Sequence, residues 1–304
     1  MSVDLSVRIG SLEMKNPVTV ASGTFGYGPE YAEVVDLNRL GAITVKGIGP
    51  EPHEGNPTPR VFETRGGLLN AIGLPGPGAE RFVEQYVPFL REFNLPVIVN
   101  IWGKGIDDYA RVVEMLDAEE TISAYEINLS CPNVKEGGAA FGTDVDAFRR
   151  AIDGVRNGTQ KPILAKLAPN VPDIGLFAKA AEACGADGLS IANTLPAMAI
   201  DVETRKPRLA NRTGGLSGPA IKPVAVKLVW DAARACNLPI IGMGGIFEPE
   251  DALEFLIAGA SAVAVGTANF VDPSTPVRVI DGIEAYLRRK GHAAVSEIVG
   301  TVEA

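Results

Sequence analysis

The chain has 304 residues, 46 % of them hydrophobic, with 28 Lys and Arg set against 37 Asp and Glu for a formal charge of −9. That much apolar surface supplies a large core, and the acidic balance argues against a nucleic-acid partner, whose footprint is clustered positive charge. Three dispersed cysteines (Cys131, Cys184, Cys236) and two histidines (His53, His292) argue against a disulfide framework, a zinc site, a chain-borne iron–sulfur cluster and a histidine triad, so the chemistry must use other groups.

The N-terminal MSVDLSVRIG has no basic region followed by an apolar one, which disfavours a signal peptide. No apolar run reaches the ~18 residues of a membrane span, so the chain reads as cytoplasmic with no membrane partner. Leu5 to Met14 predicts a small hairpin turning at Gly10-Ser11 and plugging the bottom of the fold. Eight short apolar runs follow: Val18–Ala21, Ala42–Lys46, Val97–Ile101, Tyr125–Leu129, Ile163–Leu167, Gly188–Ala192, Ile240–Met243 and Ala262–Gly266. Between them lie helical stripes, one through Phe82, Val83, Tyr86, Leu90 and Phe93, another through Ile174, Phe177, Ala181 and Cys184. Near-continuous apolar strands imply a parallel sheet buried on both faces, and eight of them suffice to close a barrel. The predicted fold is therefore α/β, a (β/α)8 TIM barrel with an N-terminal hairpin, forming one domain over residues 1–304. No G-x-G-x-x-G follows a strand, which disfavours a Rossmann dinucleotide site. Two Gly/Pro-rich insertions, Gly47–Gly78 and Pro196–Gly218, are long for βα loops and read as lids or binding segments at the strands' C-terminal ends.

Polar residues collect at those same ends. Lys46 ends strand 2, Asn100 lies in strand 3, Asn128 in strand 4 and Lys166 in strand 5. Asn193-Thr194 end strand 6, Gly244-Gly245 strand 7 and Gly266-Thr267 strand 8. A polar group inside a buried strand is costly without a partner, and so many at one end of successive strands point to a bound polar ligand. The glycines after strands 7 and 8 let backbone amides approach an anion where barrels habitually hold phosphate; tight turns alone would also explain them. Lys166 is then a charge aimed at a ring system, suited to stabilising negative charge on a reduced cofactor. Cysteine is by default a small core hydrophobe, and Cys184 and Cys236 fit that reading on apolar helix stripes. Cys131 does not: it follows strand 4 within Asn128-Leu129-Ser130-Cys131-Pro132-Asn133 and precedes a glycine-bearing loop, Lys135 to Gly142, read as a flap. A loop thiol at the active face of a barrel is the reactive kind.

NLSCPN at 128–133, NAIGL at 70–74, NT at 193–194, GLSG at 215–218, GMGGI at 242–246 and VGT at 265–267 together resemble the dihydroorotate dehydrogenases. The likeness begins at NPVTVASGTFGYG (16–28), runs to the last helix, and is greatest to the class 1, type 1B catalytic subunit. The resemblance implies oxidation of (S)-dihydroorotate to orotate in pyrimidine biosynthesis, with FMN as cofactor, hydride transfer to it, and Cys131 as the base. It implies substrate contacts from Lys46, Asn70, Ala71, Ile72, Gly73, Leu74, Asn128, Asn133, Asn193 and Thr194. It implies FMN contacts from Ser22, Lys46, Gly47, Asn100, Asn128, Lys166, Ala192, Gly218, Gly244, Gly245, Gly266 and Thr267. Pro75-Gly76 departs from the family pattern, which has a polar pair with Asn second. The type 1B likeness further implies a homodimer inside a heterotetramer, with a partner subunit carrying FAD and a [2Fe–2S] cluster that passes electrons to NAD. Direct use of fumarate, turnover of another pyrimidine such as uracil or thymine, and a flavin-free phosphate-binding lyase or isomerase remain open on sequence alone.

Overall fold

The computed structural model describes residues 3–129, 135–136, 139–140 and 144–303. Eight parallel strands form one sheet: β1 (Val18–Val20), β2 (Ile43–Ile48), β3 (Val97–Ile101), β4 (Ile122–Asn128), β5 (Ile163–Lys166), β6 (Gly188–Ile191), β7 (Ile240–Met243) and β8 (Ala262–Val265). Their order around the sheet is β1-β8-β7-β6-β5-β4-β3-β2. The ends meet where the Gly41 amide donates to the Val18 carbonyl at 2.9 Å and the hydroxyls of Thr19 and Thr44 lie 3.2 Å apart. The expected (β/α)8 barrel is borne out.

Strand alternation sorts side chains into two sets. Outward residues such as Val20, Val45, Val99, Tyr125, Ile163, Leu189, Ile240 and Val263 are fully buried against the surrounding helices. The helices are α1 (Ala79–Gln85), α2 (Ile106–Leu116), α3 (Val145–Arg156), α4 (Ile174–Ala183), α5 (Lys222–Ala233), α6 (Pro249–Ala258) and α7 (Thr275–Lys290). Side-chain caps fix two of their starts: Asp144 accepts from the amides of Asp146 and Ala147, and Asp173 from those of Gly175 and Leu176. Inward residues form a separate floor, in which Ala42, Ile98, Ala124, Leu164, Ile241 and Ala262 meet Ile9, Leu12 and Met14. Those last three come from the hairpin Val7–Ile9 and Leu12–Met14, so the N-terminus does plug the bottom of the barrel.

Several boundaries differ from expectation. β2 runs on to Ile48, which places Lys46 inside the strand rather than at its end. β4 starts at Ile122, which pairs with Val97 before a register shift brings Ala124 opposite Ile98. The stripe from Phe82 to Phe93 is broken into α1 and a separate one-turn helix at Val87–Leu90, since Pro88 cannot supply the amide that a continuous helix needs. Cys184 caps the end of α4, and buried Cys236 lies in the turn beyond α5 rather than on its stripe.

The two insertions build one structure together. Val61–Thr64, Gly67–Asn70, Gly214–Ser217 and Leu195–Ala197 form a four-stranded antiparallel sheet, with the central pair joining one insertion to the other. It has its own small core of Leu69, Ala71 and Leu209. Among the described residues, no helix is long and apolar enough to cross a membrane.

Candidate active site at the barrel mouth

Directly above the apolar floor the inward residues turn polar. Asn100 and Glu126 face each other across β3 and β4, and Lys166 pairs with Asn128 across β5 and β4. The side chains connect: Asn100 Nδ2 donates to Glu126 Oε1 at 2.7 Å, Lys166 Nζ donates to the same oxygen at 3.1 Å, and Lys166 Nζ lies 3.3 Å from Ser22 Oγ. All four residues are buried. Burial alone would raise the Glu126 carboxyl, but the Lys166 charge, with hydrogen bonds from Lys166 and Asn100, outweighs it and holds the group below the usual carboxylate range. Asn100 Oδ1 is buried with no hydrogen-bond partner among the described residues, the acceptor end of an amide offered to something else.

Around this group the family-implied residues take up two arrangements. Lys46 is half-buried on β2, its pKa lowered by burial against the opposing charge of Glu30, with Arg60 adding to the lowering. Gly47 is next to it, so close to Asn100 that a methyl group there would come within 2.9 Å of Oδ1. Leu74 reaches the same spot and holds a left-handed backbone, φ 56°, a conformation that costs a non-glycine residue about 1–3 kcal/mol and concentrates at binding sites. Its segment is anchored from behind: Asn70 Nδ2 donates to the Gly215 carbonyl at 3.3 Å, and Asn56 ties down the carbonyls of Ala71 and Ile72. Gly215 in turn sits against Thr194 Oγ1, with no room for any side chain, and Asn193 Oδ1 accepts from the Thr194 amide at 2.8 Å. Ala192 is buried just past β6.

The second arrangement lies past β7 and β8. Gly244 and Gly245 both have positive φ, 127° and 79°, which suits consecutive amides turned toward an anion. A methyl group on Gly245 would meet Lys222 Cβ at 2.8 Å and the Gly218 carbonyl oxygen at 2.9 Å. Thr267, following Gly266, donates to Ser217 Oγ at 2.7 Å, which brings the β8 exit to the inserted sheet beside Gly218. Cys131 and Asn133 lie outside the described residues; of the loop after them, Lys135–Glu136 and Ala139–Ala140 pair antiparallel.

Three further residues shape the site. Glu126 was legible, being two positions before Asn128 and so on the same face of a buried strand. Trp102 carried no sequence signal, yet it packs edge-on to His53 at 5.3 Å, lines Gly47 and Gly49, and buries an Nε1 without a partner among the described residues. Tyr27 borders the departure at Pro75-Gly76. Its hydroxyl lies 2.9 Å from where a Cβ on Gly76 would be, so a side chain there would have to displace it, while Gly76 pairs through its backbone with His53.

Buried polar side chains, a cation with its counter-charge and two positive-φ glycines, gathered at the C-terminal ends of the strands, make this a candidate (β/α)8-barrel enzyme site. The sequence model of the dihydroorotate dehydrogenases matches residues 4–287, and the chain belongs to that family. It is an oxidoreductase that takes dihydroorotate to orotate, a step of pyrimidine biosynthesis. It is 54 % identical over 300 residues to the dihydroorotate dehydrogenase B (NAD(+)) catalytic subunit of Desulforamulus reducens, covering 99 % of both chains. The subunit of the same name from Trichlorobacter lovleyi is 52 % identical over the full length of both, and that from Lachnoclostridium phytofermentans 53 % identical over 301 residues, 99 % of this chain and all of the relative.

Proposed function

We propose that this chain is the FMN-bearing catalytic subunit of an NAD-linked dihydroorotate dehydrogenase, with Cys131 as the base. The observation that carries the FMN reading is the buried group of Asn100, Glu126, Lys166 and Ser22. It offers a flavin ring an acceptor for its N–H and an ammonium group, balanced by Glu126, beside where the ring gains electrons. The Gly244-Gly245 turn, which a single Cβ would fill, suits the phosphate, together with Gly218, Gly266 and Thr267. FMN, when bound, supplies the acceptor for the hydride that leaves C6 of dihydroorotate.

The rest falls to the chain's own residues. Cys131 takes the C5 proton, a role within reach of a thiol whose ordinary pKa is near ~8.5 once its site favours the thiolate. Lys46 faces the substrate carboxylate beside the backbone of Asn70 to Leu74. Asn128, Asn133, Asn193 and Thr194 meet the alternating C=O and N–H groups of the ring, each carboxamide offering both a donor and an acceptor. The NAD link is supported by the names of the relatives, all catalytic subunits of an NAD(+) enzyme. With no dinucleotide motif and three dispersed cysteines, this chain would reach NAD through a partner subunit holding FAD and a [2Fe–2S] cluster, in a heterotetramer built on a homodimer.

The test is anaerobic mixing of the purified protein with substrate. Dihydroorotate should bleach its yellow colour and dihydrouracil should not; a colourless protein, or equal bleaching by both, overturns the reading. The isolated chain should reduce NAD only when the partner subunit is added back, and rapid reoxidation by fumarate alone would overturn the acceptor assignment.

A further inference from the structure

The reaction just described makes no use of the charge on Glu126. The residue is 1 % exposed, and an unpaired carboxylate at that depth would cost several kcal/mol. Two donors from the flanking strands converge on one of its oxygens, Asn100 Nδ2 at 2.7 Å and Lys166 Nζ at 3.1 Å. The consequences for the two donors differ.

An ionised carboxylate can only accept, so it dictates which end of the Asn100 amide faces it. With Nδ2 turned to Glu126, Oδ1 is left pointing away, toward Gly47, buried and without a protein partner among the described residues. Asn100 thus presents an acceptor to the site and cannot flip to present a donor without breaking a charge-assisted bond. Lys166 shares its ammonium between Glu126 and the hydroxyl of Ser22. Its positive charge is therefore offset inside the barrel before any ligand arrives.

We infer that Glu126 is a positioning residue that fixes Asn100 with its acceptor toward the ring and balances Lys166, so that the site meets an oxidised ring without a net cation beneath it. This rests on the FMN reading. A purely structural ion pair would hold β4 to β5 and leave the electronic character of the bound ring unchanged. Charge balance would set that character, because a charge in a low-dielectric cup acts strongly over short distances.

Glu126→Gln separates the two. It keeps the shape and an acceptor for Asn100 but removes the counter-charge, leaving a net cation. The probe is sulfite added to the FMN-loaded protein: its sulfur lone pair bonds to a ring nitrogen of oxidised flavin, which bleaches the colour and places negative charge on the ring. In Glu126→Gln the sulfite Kd should fall by about tenfold or more, while Glu126→Asp, which keeps the charge, should stay within about threefold of the unaltered protein. A Gln variant within about twofold of the unaltered protein, or Gln and Asp variants that shift alike, overturns the inference. If the single Gln variant does not fold, the Lys166→Met, Glu126→Gln double variant, which carries neither charge, should bind sulfite within about threefold of the unaltered protein. A loss of about tenfold there would mean that Lys166 acts unbalanced and that the inference is wrong. Flavin-free protein would sink the FMN reading and this inference together; flavin-loaded protein with unmoved sulfite affinity sinks this inference alone.

Discussion

The floor and the mouth of the barrel are built by the same strands, two residues apart, and are buried to nearly the same depth. Ile98 and Asn100 share a face of β3, Ala124 and Glu126 a face of β4, Leu164 and Lys166 a face of β5, and all six are no more than 4 % exposed. Below, the hairpin residues Ile9, Leu12 and Met14 complete an apolar plug. One step of the strand period above, about 6–7 Å, every one of these positions is polar and bonded to its neighbour. Burial therefore does not distinguish a packing position from a functional one in this chain. Polarity at equal burial does.

The contrast can be broken from either side. The largest effect belongs to the proposed base: Cys131→Ala should keep its flavin and lose about 10²–10⁴-fold in turnover, the usual worth of a positioned base. Near-normal flavin reduction by dihydroorotate in stopped flow would remove Cys131 from that role, and Cys131→Ser, with its higher alcohol pKa, should work only toward alkaline pH. Next is Lys166→Met, which leaves Glu126 buried and unpaired at a cost of about 3–5 kcal/mol at neutral pH. In the unaltered protein Glu126 titrates below its unfolded value of ~4.3, so its contribution is complete above that pH and is lost as acid carries the pH through the lower folded value. In the variant burial governs instead and raises the carboxyl, so the deficit should be greatest at neutral pH and shrink as the pH falls; urea midpoints across pH would read the reversal.

On the floor, Leu164→Ala should cost about 2–5 kcal/mol in the same urea titration through the cavity it leaves, with KM unmoved. A shift in KM would mean that floor and mouth are not independent. Gly245→Ala should cost about 1–3 kcal/mol for the left-handed backbone, and it should show chiefly as flavin lost on gel filtration. The smallest effect is expected at Cys184, whose thiol is pushed up to about 11 by burial and by its hydrogen bond to Asp153. Cys184→Ala should leave turnover and Tm where they are.

How far the sequence could be read follows from how local each signal is. The eight strands announce themselves because each is a short apolar run, and the mouth is marked by Asn100, Asn128 and Lys166 interrupting such runs. Glu126 was recoverable by the same rule but is hidden inside a segment whose more conspicuous feature is the cysteine after it. The apolar run puts Lys46 at a strand end, whereas Gly47 continues the strand and leaves room for Asn100 and Trp102. The inserted sheet was not legible at all. Gly214–Ser217 has neither β-branched residues nor alternation, and its partner Gly67–Asn70 lies in the other insertion. Nothing local pairs them.

That last feature bears on how the protein comes into being. The hydrogen bond from Asn70 to Gly215 spans 145 residues, so the wall holding the Asn70–Leu74 segment cannot form until both β2 and β6, with their insertions, have left the ribosome. Contacts of such separation are slow to close and reward the chain late. The half-made barrel can bury its strands against its helices in sequence as it emerges. Its capacity to recognise a small molecule arrives only after Gly214–Ser217 has emerged, long after the strand that carries Lys46.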